Sequence, residues 1–217
     1  MLAGRDQQAG GAWLGASRTG RLGVVTNFRD PDAAPRNNPP SRGELVPGYL
    51  LAGEPPARYL DGLAGRAGDY AGFNLLLADG AGLHYYSNST TEAPRELPAG
   101  IYALSNHRLD TPWEKVERSR AAFRRLIDGG ADLAPNALFE LLADRRPGAQ
   151  PSRPDQRLPA GLERALSAPF VVHERYGTRC SSVVLVDHDG RTLVAERRFD
   201  VRGAQTGASR FGFQAAA

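Results

Sequence analysis

Apolar and β-prone residues fall along the chain in short runs separated by glycine, and their spacing predicts hairpins at both ends with helices between them. Residues 13–17 and 22–27 are two such runs, joined by Arg18-Thr19-Gly20-Arg21 with glycine where the turn needs a positive φ. The run 72–79 is apolar at nearly every position. That predicts a strand buried on both faces, under helices on one side and a second sheet on the other. Residues 83–87 follow across Asp79-Gly80-Ala81-Gly82 as a second hairpin, and 100–105 read as a further strand. Residues 182–187 and 192–198 flank His188-Asp189-Gly190 as a third hairpin.

Between these runs the period changes to that of helices. Ser41-Arg42-Gly43-Glu44 has the capping-box form, predicting a helix that starts there and is disturbed at Pro47; a second short helix follows Pro56 through Tyr59, Leu60 and Leu63. Thr111-Pro112-Trp113-Glu114 repeats the cap with proline at the first helical position. Positions 113, 116, 120, 123 and 127 then share one face, predicting a four-turn helix packed on the sheet. A shorter helix fits 136–144. Residues 29–41 and 145–159, each with four prolines, read as loops, the first long enough to be a lid. Hairpins, then helices, then a hairpin describe an α+β layered domain spanning 1–201, with a small, polar, flexible tail over 202–217.

Composition narrows the function classes. Hydrophobic residues at 41% and charged residues at 24% are ordinary for a globular chain, and no apolar run approaches the ~18 residues of a membrane helix. No signal-peptide pattern opens the chain, so the expected location is the cytoplasm. Cys180 is the single cysteine, which excludes an internal disulfide and cysteine-cluster metal sites. A net charge of +3 is too small to argue for nucleic acid. Lys115 is the only lysine among the basic residues, which points to a GC-rich, bacterial coding sequence.

Candidate chemistry is sparse. His84, His107, His173 and His188 show no metal-ligand spacing, and neither a nucleophile elbow nor a phosphate loop occurs. His188 reads as a solvated turn residue, whereas His107 stands at a strand exit where it could line a site. Three polar clusters mark strand ends: Thr26-Asn27, Ser105-Asn106 and Gly177-Thr178-Arg179. Strand ends are where rigid scaffolds present site residues, although asparagines there also serve simply as turn caps.

Eight co-linear stretches carry a resemblance: GRD at 4–6, GGAWLG at 10–15, TNFRD at 26–30, SRGEL at 41–45, GFNLL at 72–76, LSN at 104–106, LDTPWEKV at 109–116 and YGTR at 176–179. Together they resemble the NRDE family, also called the transport and Golgi organisation protein family. The resemblance implies a four-layer αββα sandwich of the N-terminal-nucleophile hydrolase type, distantly similar to choloylglycine hydrolases and penicillin V acylases. It implies a small-molecule ligand or substrate, while the small net charge and the short apolar runs already set the expectation of no nucleic-acid partner and no membrane span. Asn27 and Asn106 match positions that present amides to an oxyanion, and Arg179 matches an arginine beside the nucleophile. Trp13, Phe28, Phe73 and His107 are the ligand-binding candidates.

Family members typically begin Met-Cys and carry an Asn-Arg-Asp-Glu stretch, and this sequence has neither. Cys180 is internal and cannot supply a free α-amine. The expectation is therefore a chain that lacks its first segment, is catalytically silent and is marginally soluble, on an ancestry of cysteine-type amide hydrolysis. The alternative is a haem or lipid/acyl-CoA binding or trafficking protein. No cofactor is required; haem is the candidate, with His107 as its axial ligand.

Overall fold

The computed structural model describes residues 1–34, 36–130, 133–150 and 157–215. It is an α+β chain with antiparallel sheets and, among the described residues, five α-helices. The described residues divide into two compact units: those within 1–100, 104–109 and 214–217 form the first, and those within 101–103 and 110–213 form the second. No helix among the described residues is long and apolar enough to cross a membrane.

In the first unit, strands β1 (Leu2–Ala3), β2 (Leu14–Ala16), β3 (Leu22–Asn27), β4 (Phe73–Ala78), β5 (Leu83–Ser87) and β6 (Arg95–Leu97) form one sheet in chain order. Gly20, at φ +73°, closes the expected β2–β3 hairpin. Strand β3 pairs with β4 from Leu22 opposite Ala78 to Asn27 opposite Phe73. Residues 23, 25 and 27 therefore share a face with 73, 75 and 77. Helices α1 (Leu45–Ala52) and α2 (Pro56–Ala64) supply Val46, Tyr49, Leu60 and Leu63 to one cluster with Val25, Phe73, Leu75 and Leu77. The opposite face of β4 is not uniformly apolar, which corrects the sequence reading: it carries wholly buried Asn74, with Leu76 and Ala78 half-buried.

Ser41 does cap its turn, its hydroxyl accepting from the Gly43 amide at 3.2 Å. The capping box stays open because Tyr70 donates its hydroxyl to Glu44 at 2.5 Å. Residues 42–44 form a 3-10 turn and α1 starts at Leu45, so Pro47 lies in its first turn. A first-turn residue has no helical acceptor to lose, and the helix passes through the proline undisturbed. The strand expected at 100–105 is absent. Pairing ends at Leu97, before Pro98, and Ala103 and Asp110 instead bond each other, Ala103 N to Asp110 Oδ1 at 2.8 Å and Asp110 N to Ala103 O at 2.9 Å.

In the second unit, α3 (Glu114–Asp128) packs on α4 (Pro135–Leu142), which lies on β7 (Cys180–Val186). Strand β7 pairs with β8 (Arg191–Phe199) around Gly190 at φ +79°, and β9 (Gln205–Gln214) is β8's other neighbour. A short α5 (Ala160–Leu166) precedes them. The cap of α3 is Trp113, two residues after the expected Thr111, and it makes no side-chain cap bond. Of the predicted apolar face only Val116 is buried, while Arg120 pairs with Asp110 at 3.3 Å. Residues 205–214 form a strand where the sequence reads as a flexible tail; Arg198 Nη1 donates to Ser209 Oγ at 2.8 Å across it. The loop expectations at 29–41 and 145–159 lie partly outside the described residues, at 35 and at 151–156.

Candidate functional site

Strand β3 ends where two distant segments meet it. The Arg29 amide donates to Asn106 O at 2.7 Å, and Asn106 Nδ2 returns a bond to Asn27 O at 3.1 Å. The Phe28 and His107 rings sit 4.9 Å apart at 35°. This meeting is organised from β4 and β5. Buried Asn74 donates through Nδ2 to His107 O at 2.9 Å and to Thr26 Oγ1 at 3.3 Å, while its Oδ1 accepts from the Tyr85 hydroxyl at 2.8 Å. Tyr85 in turn accepts from the Leu109 amide at 3.4 Å. A buried amide with its donors and acceptor all engaged holds one geometry, because any displacement leaves a desolvated polar group unpaired.

The helix-covered face at this same end carries a second group. The Val25 amide donates to Trp13 O at 2.9 Å, which places Trp13 beside Val25, on the face that register also gives to Asn27. Arg42 lies over the Trp13 ring at 5.8 Å and donates Nη1 to Gly72 O at 2.9 Å; the Phe28 amide donates to the same carbonyl at 2.9 Å. Gly11 and Gly43 make this approach possible. A Cβ on Gly11 would stand 2.4 Å from Gly43 C and O, and the Ala12 amide reaches Gly43 O at 2.8 Å. Asp6 closes the preceding turn by accepting from the Gln8 and Ala9 amides at 2.8 and 3.1 Å. Bonds from Ala9 and Gln8, with a lesser one from the Trp13 side chain, hold its carboxyl below the ordinary value. Burial lowers the pKa of the half-buried Arg42 guanidinium, with no charged neighbour contributing.

The structure thus gathers Asn27, Phe28, Asn106 and His107 at one strand end, with Trp13 on the adjoining face. The contact between the asparagines runs from side chain to main chain. Phe73 is wholly buried, with Tyr70 and Tyr86 edge-on at 6.0 and 5.9 Å, so its ring belongs to the core and offers no surface to a ligand. Arg179 lies in the second unit, exposed, donating Nη1 to Asp200 O at 3.1 Å. Cys180 follows it opposite Arg198; burial, and then Glu196, push its thiol pKa up, the reverse of an activated nucleophile. Among the described residues no group of three or more His, Cys, Asp or Glu could hold a metal ion. Sequence reasoning missed Arg42 and Asn74 as site-builders, although both lie in motifs it singled out, SRGEL and GFNLL.

A family model described as Transport and Golgi organisation 2 matches residues 1–201. The chain is 35% identical over 212 residues to the Transport and Golgi organization protein 2 homolog of Bos taurus, and 32% identical over the same length to the homologs of Mus musculus and Homo sapiens. Each match covers 91% of this chain and 76% of the relative.

Proposed function

The chain belongs to the Transport and Golgi organisation 2 family, and from that membership we propose that it binds a small molecule non-covalently at the end of β3, on a fold of the N-terminal-nucleophile hydrolase type. The observation that carries the reading is the reciprocal pair of bonds between 27–29 and 106, with the Phe28–His107 contact beside it. Four candidate residues from segments nearly eighty positions apart are brought to one strand end by a buried Asn74–Tyr85 network. In each unit helices lie against a sheet, as an αββα sandwich requires. Binding is favoured over amide hydrolysis because Asn106 spends a side-chain donor on a main-chain carbonyl and the lone thiol has a raised pKa. The relatives' printed name concerns transport, and a protein that holds a ligand without transforming it suits such a role.

The test is amide-resolved NMR with a panel of amphiphilic carboxylates and amides, with mass spectrometry of the ligands afterwards. Shifts centred on 27–29 and 106–107 and reaching no further than the adjoining Trp13 and Arg42, with ligands recovered intact and binding weakened about tenfold by Asn106→Ala, are expected. Cleavage of an amide ligand, or shifts elsewhere only, overturns the reading. Haem is a second reading, supported by the half-buried imidazole of His107 against buried Phe28. When bound, haem would supply iron for one neutral imidazole ligand. A Soret titration unchanged by His107→Ala removes that residue as the ligand.

A further inference from the structure

We propose that Arg42 and Trp13 form a subsite for a monocarboxylate with a planar apolar body, the guanidinium taking the carboxylate and the indole taking the body. The inference rests on the small-molecule reading above and assigns the charge and shape of what binds. Arg42 is half-buried and makes no ion pair among the described residues; its only side-chain hydrogen bond there is from Nη1 to Gly72 O. Burial lowers its pKa, and among the described residues no carboxylate forms an ion pair with it, the nearby Asp6 being engaged by the Gln8 and Ala9 amides and the Trp13 side chain. A guanidinium carries five N–H donors in a planar fork that matches a carboxylate, and here one side of the fork is committed while the rest is not. Partial burial makes that charge a better anion partner than a fully hydrated surface arginine.

The apolar component stands beside it. Trp13 is 38% exposed, although large aromatics usually bury their faces, and it is held under Arg42 by the Gly11–Gly43 approach. Asn27, on the same face two residues beyond Val25, has an exposed amide with no protein partner among the described residues. One unpaired cation matches one negative charge, which selects a monocarboxylate over a phosphate dianion.

The experiment uses 1-naphthaleneacetate, its neutral amide and 1-naphthyl phosphate, followed through the indole N–H signals of Trp13 and Trp113. The acid is expected to move the Trp13 signal and leave Trp113 in place, and to bind about tenfold more tightly than the amide. Arg42→Gln should abolish that preference without weakening the amide. Arg42→Lys, which keeps charge but loses the fork, should retain part of it. Equal binding of acid and amide overturns the proposal and leaves the small-molecule reading standing. Tighter binding of the phosphate overturns the monocarboxylate assignment. If no probe moves Trp13 the proposal fails, and the wider panel at 27–29 and 106–107 decides the reading separately.

Discussion

Each unit is stabilised internally by a different kind of contact. The first buries a continuous cluster in which Tyr49, Phe73, Leu60, Leu63, Leu75 and Val46 are all at or near zero exposure. The second has a small cluster of Phe139, Val183 and Ala195 and relies on arginine. Asp144, 15% exposed, is met by Arg118 Nε at 2.8 Å and Arg146 Nε at 2.9 Å, and Arg197 covers the Phe139 ring at 4.4 Å. Apolar burial is insensitive to salt and pH, whereas ion pairs respond to both. The candidate site stands on the unit whose framework is apolar, and burial of that framework offsets the cost of partly desolvating Arg42.

The largest expected effect comes from cutting the apolar framework. Phe73→Ala should destabilise the first unit by about 3–5 kcal/mol, equally in low and high salt, as measured by urea unfolding. A strong salt dependence would break the contrast. Asn74→Ala should cost about 1–3 kcal/mol, since it strands the Tyr85 hydroxyl and His107 O. Hydrogen exchange should then accelerate at 106–109 ahead of the rest of the unit; uniform acceleration would mean that Asn74 does not position that segment.

Asp144→Asn probes the other side of the contrast. Hydrogen bonds from Arg146, and then Arg118, hold the Asp144 carboxyl well below the usual carboxylate range despite burial. Its contribution is therefore present above the unfolded value of about 3.9 and lost as pH falls through the lower folded value. The variant should be less stable by about 1–2 kcal/mol at pH 7. The gap should narrow in high salt and close in acid, and a gap that persists in acid would rule out the ionic account.

The smallest effect is expected at Tyr70, whose hydroxyl is pushed up to about 12 by burial and then by Glu44. The neutral hydroxyl stabilises the fold fully below the unfolded value of about 10 and ceases to do so as pH rises through the folded one. Tyr70→Phe should cost about 1 kcal/mol and remove the phenolate component that appears near 12 in an ultraviolet titration. Loss of a component near 10 instead would place Tyr70 outside the buried framework.

The hairpins were legible because strands with one buried face alternate and turns with positive φ need glycine, as at Gly20 and Gly190. Helix α2 was legible from Pro56 and its 59–60–63 spacing. Strand β9 was not, because its half-buried positions include Gly207 and Ser209, which carry no hydrophobic signal. The strand expected at 100–105 failed for the opposite reason: its composition suits a strand, yet Asp110 engages Ala103 first. At the site, Asn27, Phe28, Asn106 and His107 were legible as polar and aromatic groups at strand ends. Their contacts were not, since Asn106 reaches a main-chain oxygen that every residue possesses.

By itself the sequence determined the family, the α+β class, most of the strands of the first sheet and that no disulfide can form within these 217 residues, because each follows from local pattern or from counting residues. Only the tertiary structure decided that Phe73 is core, that Asn74 holds the 106–109 segment, and that Arg42 stands half-buried over Trp13 with no ion-pair partner among the described residues. Burial and the lack of a partner are relations between segments that local pattern does not encode, and desolvation acts on a charge only after the chain has closed around it.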